Sequence, residues 1–144
     1  MQRFDITYRN DPKELRRQIR RLGMRSRLQL EKFHNVGLRQ LGTYNIRIVI
    51  AEGFRDTAPS ARLEKMHKNK RRGLTLLEAL ALVEHSPDVL RAFSLDIIHS
   101  RYGKECIPTL YEWGGIRYLS AICPDTHEMS CIAPEVVKCE LVGE

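Results

Sequence analysis

Apolar residues recur at helical spacing in the first and middle thirds of the chain, and at strand spacing near position 45 and throughout the last third. In "NDPKELRRQIRRLG", residues 10–23, Leu15, Ile19 and Leu22 fall on one face, the pattern of an amphipathic helix. Asn10 or Asp11 supplies its cap, Pro12 suits its first turn and Glu14 lies near the positive end of its dipole. Gly23 ends or bends it. "RSRLQLEKFHNVGLRQLG" predicts a second helix, with Leu30, Phe33, Leu41 and Gly37 turned inward. "LTLLEALALVEHSPDVL" predicts the clearest helix. Thr75 and Glu78 are spaced as a capping box, and Leu76, Leu77, Leu80 and Val83 form its apolar stripe. Ser86-Pro87 ends or jogs it, and "DVLRAF" adds a turn.

Strand texture appears in "FDITYR" and in the β-branched run "YNIRIVIAEG". From Leu95 onward, "SLDIIH", "ECIPTLYEW", "IRYLSAIC" and "SCIAPEV" alternate with turn-rich "SRYGK", "GG" and "PDTHEM". Gly114-Gly115 between two strand-like runs is a two-residue hairpin signal. It fixes a register in which Trp113 faces Ile116, Glu112 faces Arg117, Tyr111 faces Tyr118, Leu110 faces Leu119 and Cys106 faces Cys123. Symmetric neighbouring turns then set His99 opposite Cys106 and Cys131 opposite Cys123. The predicted architecture is α+β: helices packed on a four-stranded antiparallel meander, with a basic helical N-terminal half. Residues 1–54 form that basic region with one strand, 55–73 a basic linker, arm or short exposed helix, and 74–144 a helix-plus-sheet unit.

Charge sharpens this division. Residues 1–73 carry a net +12 and residues 74–144 a net −6, within an overall +6. So uneven a split points to a polyanionic partner. Nucleic acid is the expected one, met through phosphates by Arg16, Arg17, Arg20, Arg21, Arg62, Lys65, Lys68, Lys70, Arg71 and Arg72. An acidic protein partner is the alternative, and mutual neutralisation of the two halves is the bland one. No apolar run is long enough for a membrane span. The polar start "MQRFDITYRNDP" and four cysteines predict a reducing, cytoplasmic setting with free thiols and no cofactor.

The segment from His99 to Cys131 concentrates cysteine, histidine, tyrosine and the single tryptophan. A row of His99, Cys106, Cys123 and Cys131 invites zinc, but strands ~4.8 Å apart spread such a row over ~14 Å, and zinc needs every ligand within ~2.3 Å of one point. The linear set Cys123, His127, Cys131 and Cys139 lacks a close Cys-x-x-Cys pair. Small buried thiols beneath the Leu76–Val83 helix are preferred. Cys106 beside His99 has the residue types of a nucleophile and base, and with His127 would make a small metal- or thiol-dependent hydrolase. Nothing in the sequence supplies an oxyanion hole, so a non-enzymatic module is expected. The register also sorts two faces. One is aliphatic, with Leu95, Ile97, Leu110, Leu119, Ala121 and the cysteines. The other carries Ile107, Tyr111, Trp113, Ile116, Tyr118 and Ile122. Tyr111, Trp113 and Tyr118 stack bases if exposed. Alternatively the N-terminal helices and the "YNIRIVI" strand cover them as a second core layer.

The motifs "GLTLLEALALVEHSPDVL", "HSRYGKECIPTLYEWGG", "LSAIC" and a histidine before the final "SC" resemble an uncharacterised bacterial domain-of-unknown-function family. The matching residues are Leu74, Thr75, Pro87, Ser100, Arg101, Gly103, Pro108, Leu110, Cys123 and His127, within residues 73–133. The resemblance implies a fold unit and no activity. "AICPDTHEMSC" departs from the tryptophan and glycine cluster of that family's last hairpin, and the basic N-terminal half lies outside the resemblance. Within "HSRYG", Arg101 is either a bidentate phosphate or carboxylate ligand or a solvent arginine in a Gly103 hairpin loop.

Overall fold

The computed structural model describes residues 2–7, 10–39, 42–50, 59–123 and 132–140. Strand β1 (Gln2–Ile6) leads to helix α1 (Pro12–Arg21). Asp11 is the cap: its carboxylate accepts from the Lys13 N–H at 2.9 Å, and Pro12 sits where no N–H is needed. Leu15 is buried, with Ile19 and Leu22 packed beside it.

The second predicted helix does not form. After Gly23 the chain runs extended, makes one 3-10 turn (Leu30–Lys32) and then a two-residue strand β2 (Phe33–His34). Outside that 3-10 turn, its backbone groups bond to distant elements. The Arg25 N–H donates to Arg117 O and the Arg25 carbonyl accepts from the Leu119 N–H. Lys32 O accepts from the Gly103 N–H and Val36 O from the Leu77 N–H. The Asn10 side chain brackets Leu38, donating to its carbonyl and accepting from its N–H at 3.1 Å each. A Cβ on Gly37 would meet Asn10 Oδ1 at 2.6 Å, so only glycine lets this clamp close.

Strand β3 (Gly42–Ile50) comes next. Within the 55–73 segment, helix α2 (Pro59–Lys68) and strand β4 (Arg72–Gly73) are described, and residues 55–58 lie outside the described ones. Helix α3 (Leu76–His85) has the predicted capping box. It is buried all round from Leu76 to Val83, as a helix running through a core must be. All its first-turn N–H groups are occupied: Leu76 by Ser100 Oγ, Leu77 by Val36 O, Glu78 by Thr75 Oγ1 and Ala79 by Thr75 O. Helix α4 (Val89–Ala92) is the extra turn after Pro87.

The α+β class holds, but the single meander does not. Strands β5 (Leu95–Asp96), β7 (Ile107–Trp113) and β8 (Ile116–Ile122) form a three-stranded antiparallel sheet, and β6 (Arg101–Tyr102) pairs with β2. Strand β9 (Ile132–Glu140) leaves its sequence neighbours and lies between β3 and β4 in a four-stranded sheet, order β1-β3-β9-β4. The physical reason is length and edge satisfaction. Strand β3 has nine residues and β1 pairs only with its first five, so its other side exposes a long ladder unless a strand of equal length covers it. Strand β9, also nine residues, does so. The first and last segments of the chain therefore share a sheet.

The β7–β8 hairpin has the predicted register from Trp113–Ile116 to Leu110–Leu119, with Gly114 and Gly115 at φ of 59° and 76° as a primed turn requires. Phe4, Tyr44 and Ile46 of one sheet, and Leu95, Leu110 and Leu119 of another, with Ile97 just after β5, join α3 in one core. A smaller cluster of Met66, Ile98 and Ile107, with Leu63 and Ile122, ties α2 to the opposite face of β7 and β8.

Candidate nucleic-acid interface

The aromatic face of the hairpin divides along its length. At one end the cover is α2, which the second-layer reading does not name: its Leu63 and Met66 pack on Ile107 and Ile122. At the other end the face is open. Trp113 is 76% exposed, and Tyr111 and Tyr118 are half-buried, stacked on each other with centroids 5.1 Å apart and planes within 19°. The extended strip 24–28 runs along the outer edge of β8, held by the two bonds between Arg25 and Arg117/Leu119. Between strip and sheet lies a groove of about 900 Å³ lined by Arg25, Arg27, Tyr111, Trp113 and Tyr118. Arg25 and Arg27 are exposed. Sequence reasoning misses both because it folds "RSR" into a helix. The signal is the pair of arginines beside a serine just after Gly23, where a strand-edge strip is as compatible as a helix.

The predicted cations sort into three groups. Arg16, Arg17 and Arg20 are exposed on α1 and border a second groove, of about 570 Å³, against residues 30–36. Arg17 also pairs with Glu14, and Arg21 with Glu84 across to α3. Lys65, Lys68 and Lys70 are exposed on and just after α2. Arg62 and Arg72 face inward instead. Arg62 is 4% exposed and lies 3.6 Å from the buried Asp96 carboxylate, whose other oxygen accepts from Thr109. Arg72 grips Glu78 with both terminal nitrogens at 2.7 Å. These two arginines come from a run that reads as uniformly solvated. They are drawn in because Asp96 and Glu78 are fully buried and need countercharges. Arg71 is half-buried.

Glu78 is a crowded carboxylate. Besides Arg72 it accepts from Tyr44 Oη, from the Thr75 N–H at 2.9 Å and from the Arg39 N–H at 3.4 Å. Burial pushes its carboxyl up, but the hydrogen bonds and charge of Arg72, with the Thr75 N–H and Tyr44 hydroxyl, hold it below the usual range. The Arg72 guanidinium is lowered by its own burial and raised on balance by Glu78. His99 is pushed down by burial and by the nearby charges of Arg39 and Arg72, against an opposing pull from Glu78.

Arg101 donates to the carbonyls of Ile98 and Ser100 at 2.6 and 2.9 Å, tying its own turn together, and burial lowers its pKa. Ser100 is fully buried and bridges Leu76 N–H to Asn35 O. The "HSRYG" segment therefore has a structural job.

The cysteines correct another expectation. Cys106 and Cys123 face each other as the register required, but as a disulfide and not as free thiols. Cys106 bridges to Tyr102, and β5 stops pairing with β7 after Asp96, so the His99–Cys106 pair does not form. His127 and Cys131 lie outside the described residues, and Cys139 sits in β9 opposite Tyr44. Among the described residues no group of three or more His, Cys, Asp or Glu is placed to hold a metal ion. No helix among them is long and apolar enough to cross a membrane. No family model, curated protein or solved structure matches the chain.

Proposed function

We propose that this chain is a small non-enzymatic nucleic-acid-binding module that takes unpaired bases on the open end of the β7–β8 face. The observation that carries the reading is Trp113, a tryptophan 76% exposed beside a stacked tyrosine pair and across a groove from Arg25 and Arg27. A large aromatic left in water costs free energy unless something covers it. Bases fit an aromatic platform whatever their sequence, each contributing about 1–3 kcal/mol by stacking. The two arginines stand where the phosphates of a stacked strand would pass. The exposed lysines around α2 extend the positive field and raise encounter rates without fixing register.

Fluorescence anisotropy with labelled single-stranded and duplex RNA and DNA, across a salt series, tests this. Single strands should bind more tightly than duplexes. Trp113→Ala should weaken binding about 5- to 150-fold, the range corresponding to one stacked base, with the salt slope unchanged. Arg25→Ala/Arg27→Ala should flatten that slope by about 0.7 for each phosphate no longer neutralised. The proposal fails if no probe binds tighter than about micromolar at low salt, or if Trp113→Ala binds as wild type does.

A further inference from the structure

The base-binding reading leaves the second groove unexplained. It lies between α1 and residues 30–36, with a volume of about 570 Å³. Its floor is Leu15, Leu30, Phe33 and Val36, and its exposed lining is predominantly apolar. Its rim is basic: Lys13, Arg16, Arg17 and Arg20 stand along α1, opposed by Glu31 alone. Arg17 is engaged by Glu14, but no carboxylate among the described residues pairs with Lys13, Arg16 or Arg20.

We infer that this groove docks a short acidic amphipathic helix from a partner protein, its aliphatic side chains entering the floor and its carboxylates lying along α1. The four cations recur at i, i+3, i+4 and i+7, two turns of one helix face, about 10 Å long. A partner helix presenting Asp or Glu at the same period matches that row, and leucine-sized side chains at i and i+3 or i+4 match the floor, the helix-in-groove mode of recognition. The floor tells against nucleic acid here. Its single aromatic ring, Phe33, is 7% exposed and tilted against Tyr102, so it offers no free face to a base. Phosphates would satisfy the rim and leave the aliphatic floor wet. The site shares no lining residue with the Trp113 groove, so the module carries two separate surfaces, and this inference stands or falls without the base-binding one.

The test uses a fluorescein-labelled synthetic helix carrying two Leu at i and i+4 among Glu and Ala, beside a control of equal charge with both Leu replaced by Ser. Wild-type protein should bind the Leu peptide at least ~10-fold more tightly than the Ser peptide, a tenfold change being ~1.4 kcal/mol. Arg16→Glu/Arg20→Glu, both changes on exposed positions, should lose at least ~10-fold, and Leu30→Glu as much. Trp113→Ala should bind the peptide as wild type does. If Leu30→Glu fails to fold by circular dichroism, the α1 variant and the Ser peptide still decide. Equal affinity for the two peptides would reduce the groove to a charge effect and overturn the inference. So would loss of peptide binding in Trp113→Ala. Displacement of the peptide by a saturating single-stranded DNA, with Arg16→Glu/Arg20→Glu losing DNA affinity in parallel, would make the groove a phosphate track and overturn it too.

Discussion

Glu78→Ala removes an anion that is fully buried and holds five hydrogen bonds, two of them from Arg72. What remains is the Arg72 guanidinium, whose side chain is 17% exposed, without its countercharge. The Tyr44 hydroxyl and Thr75 N–H also lose their acceptor, and α3 loses half of its capping box. Breaking a buried ion pair from one side costs about 3–5 kcal/mol, and the lost cap about 1 more where it is not already counted. Against a typical total of about 5–15 kcal/mol, that is a large fraction of the stability. Urea unfolding at pH 7, followed by far-ultraviolet circular dichroism, is the assay. Trp113 fluorescence is a poor reporter because that ring is already in water. Glu78→Gln keeps the shape and one acceptor oxygen but not the charge, and should cost about 1.5–3 kcal/mol. The decisive variant is the double replacement Arg72→Met/Glu78→Leu. A buried pair exchanged for apolar residues of similar volume is often neutral, so the double variant should be more stable than Glu78→Ala. A cost below about 1 kcal/mol for Glu78→Ala, or a double variant as damaged as the sum of Arg72→Met and Glu78→Leu, would refute the claim that this network is one electrostatic unit.

Two further outcomes concern the disulfide and acid. The Cys106–Cys123 bond joins positions 17 apart in sequence, so loop-closure entropy gives it about 3 kcal/mol. Reduction with dithiothreitol, or Cys106→Ser/Cys123→Ser, should lower the thermal midpoint by roughly 6–12 °C for a chain of this size. An unchanged midpoint in both would show that the bond does not constrain the unfolded chain. Acid should destabilise the fold in two stages, because His99 and Glu78 both have folded pKa values held down. For each, the unfolded state binds more protons inside the window, so stability is complete above the unfolded value and falls with pH below it. The His99 stage begins near pH 6.5 and the Glu78 stage near 4.5. His99→Asn should erase only the upper stage in a pH series of urea midpoints, and a single unbroken decline in both proteins would contradict this.

Local signals in the sequence reach as far as local physics reaches. The Asp11 and Thr75 caps, the apolar stripe of α3 and the Gly-Gly hairpin are each decided by residues within a few positions of one another. The register through Tyr111–Tyr118 follows from the turn alone and also brings Cys106 to Cys123, although spacing does not reveal whether two facing thiols are joined. Residues 24–39 defeat a local reading because their apolar positions fit a helix while the hydrogen-bond partners that fix them lie 28 to 94 positions away. Strand β9 escapes it for the same reason: a strand's neighbour is chosen by which open edge it must cover. Arg62 and Arg72 look identical to their exposed neighbours, and only the burial of Asp96 and Glu78 separates them.

The uneven charge can now be apportioned. If the halves existed to neutralise each other, ion pairs between them would consume the basic surplus. Arg21–Glu84, Arg62–Asp96 and Arg72–Glu78 do cross between the halves, and the last two are buried links that fix α2 and β4 to the acidic half. Lys13, Arg16, Arg20, Arg25 and Arg27 take no such partner among the described residues. They are grouped on α1 and on the strip that follows it. That strip has almost no regular structure of its own. Apart from the Asn10 clamp on Leu38, its position comes from β8, α3 and the turn after β6, all in the acidic half, through Arg117, Leu119, Leu77 and Gly103. The acidic half is therefore the frame that holds this strip. Irregular chain positioned by a rigid frame is where binding residues concentrate, and here the one strip walls both grooves, with Arg25 and Arg27 on the aromatic side and Leu30 and Phe33 on the aliphatic side. A change that loosens the strip at its anchors, such as loss of the Asn10 clamp on Leu38, should weaken both surfaces together, whereas Trp113→Ala and Arg16→Glu/Arg20→Glu each touch one.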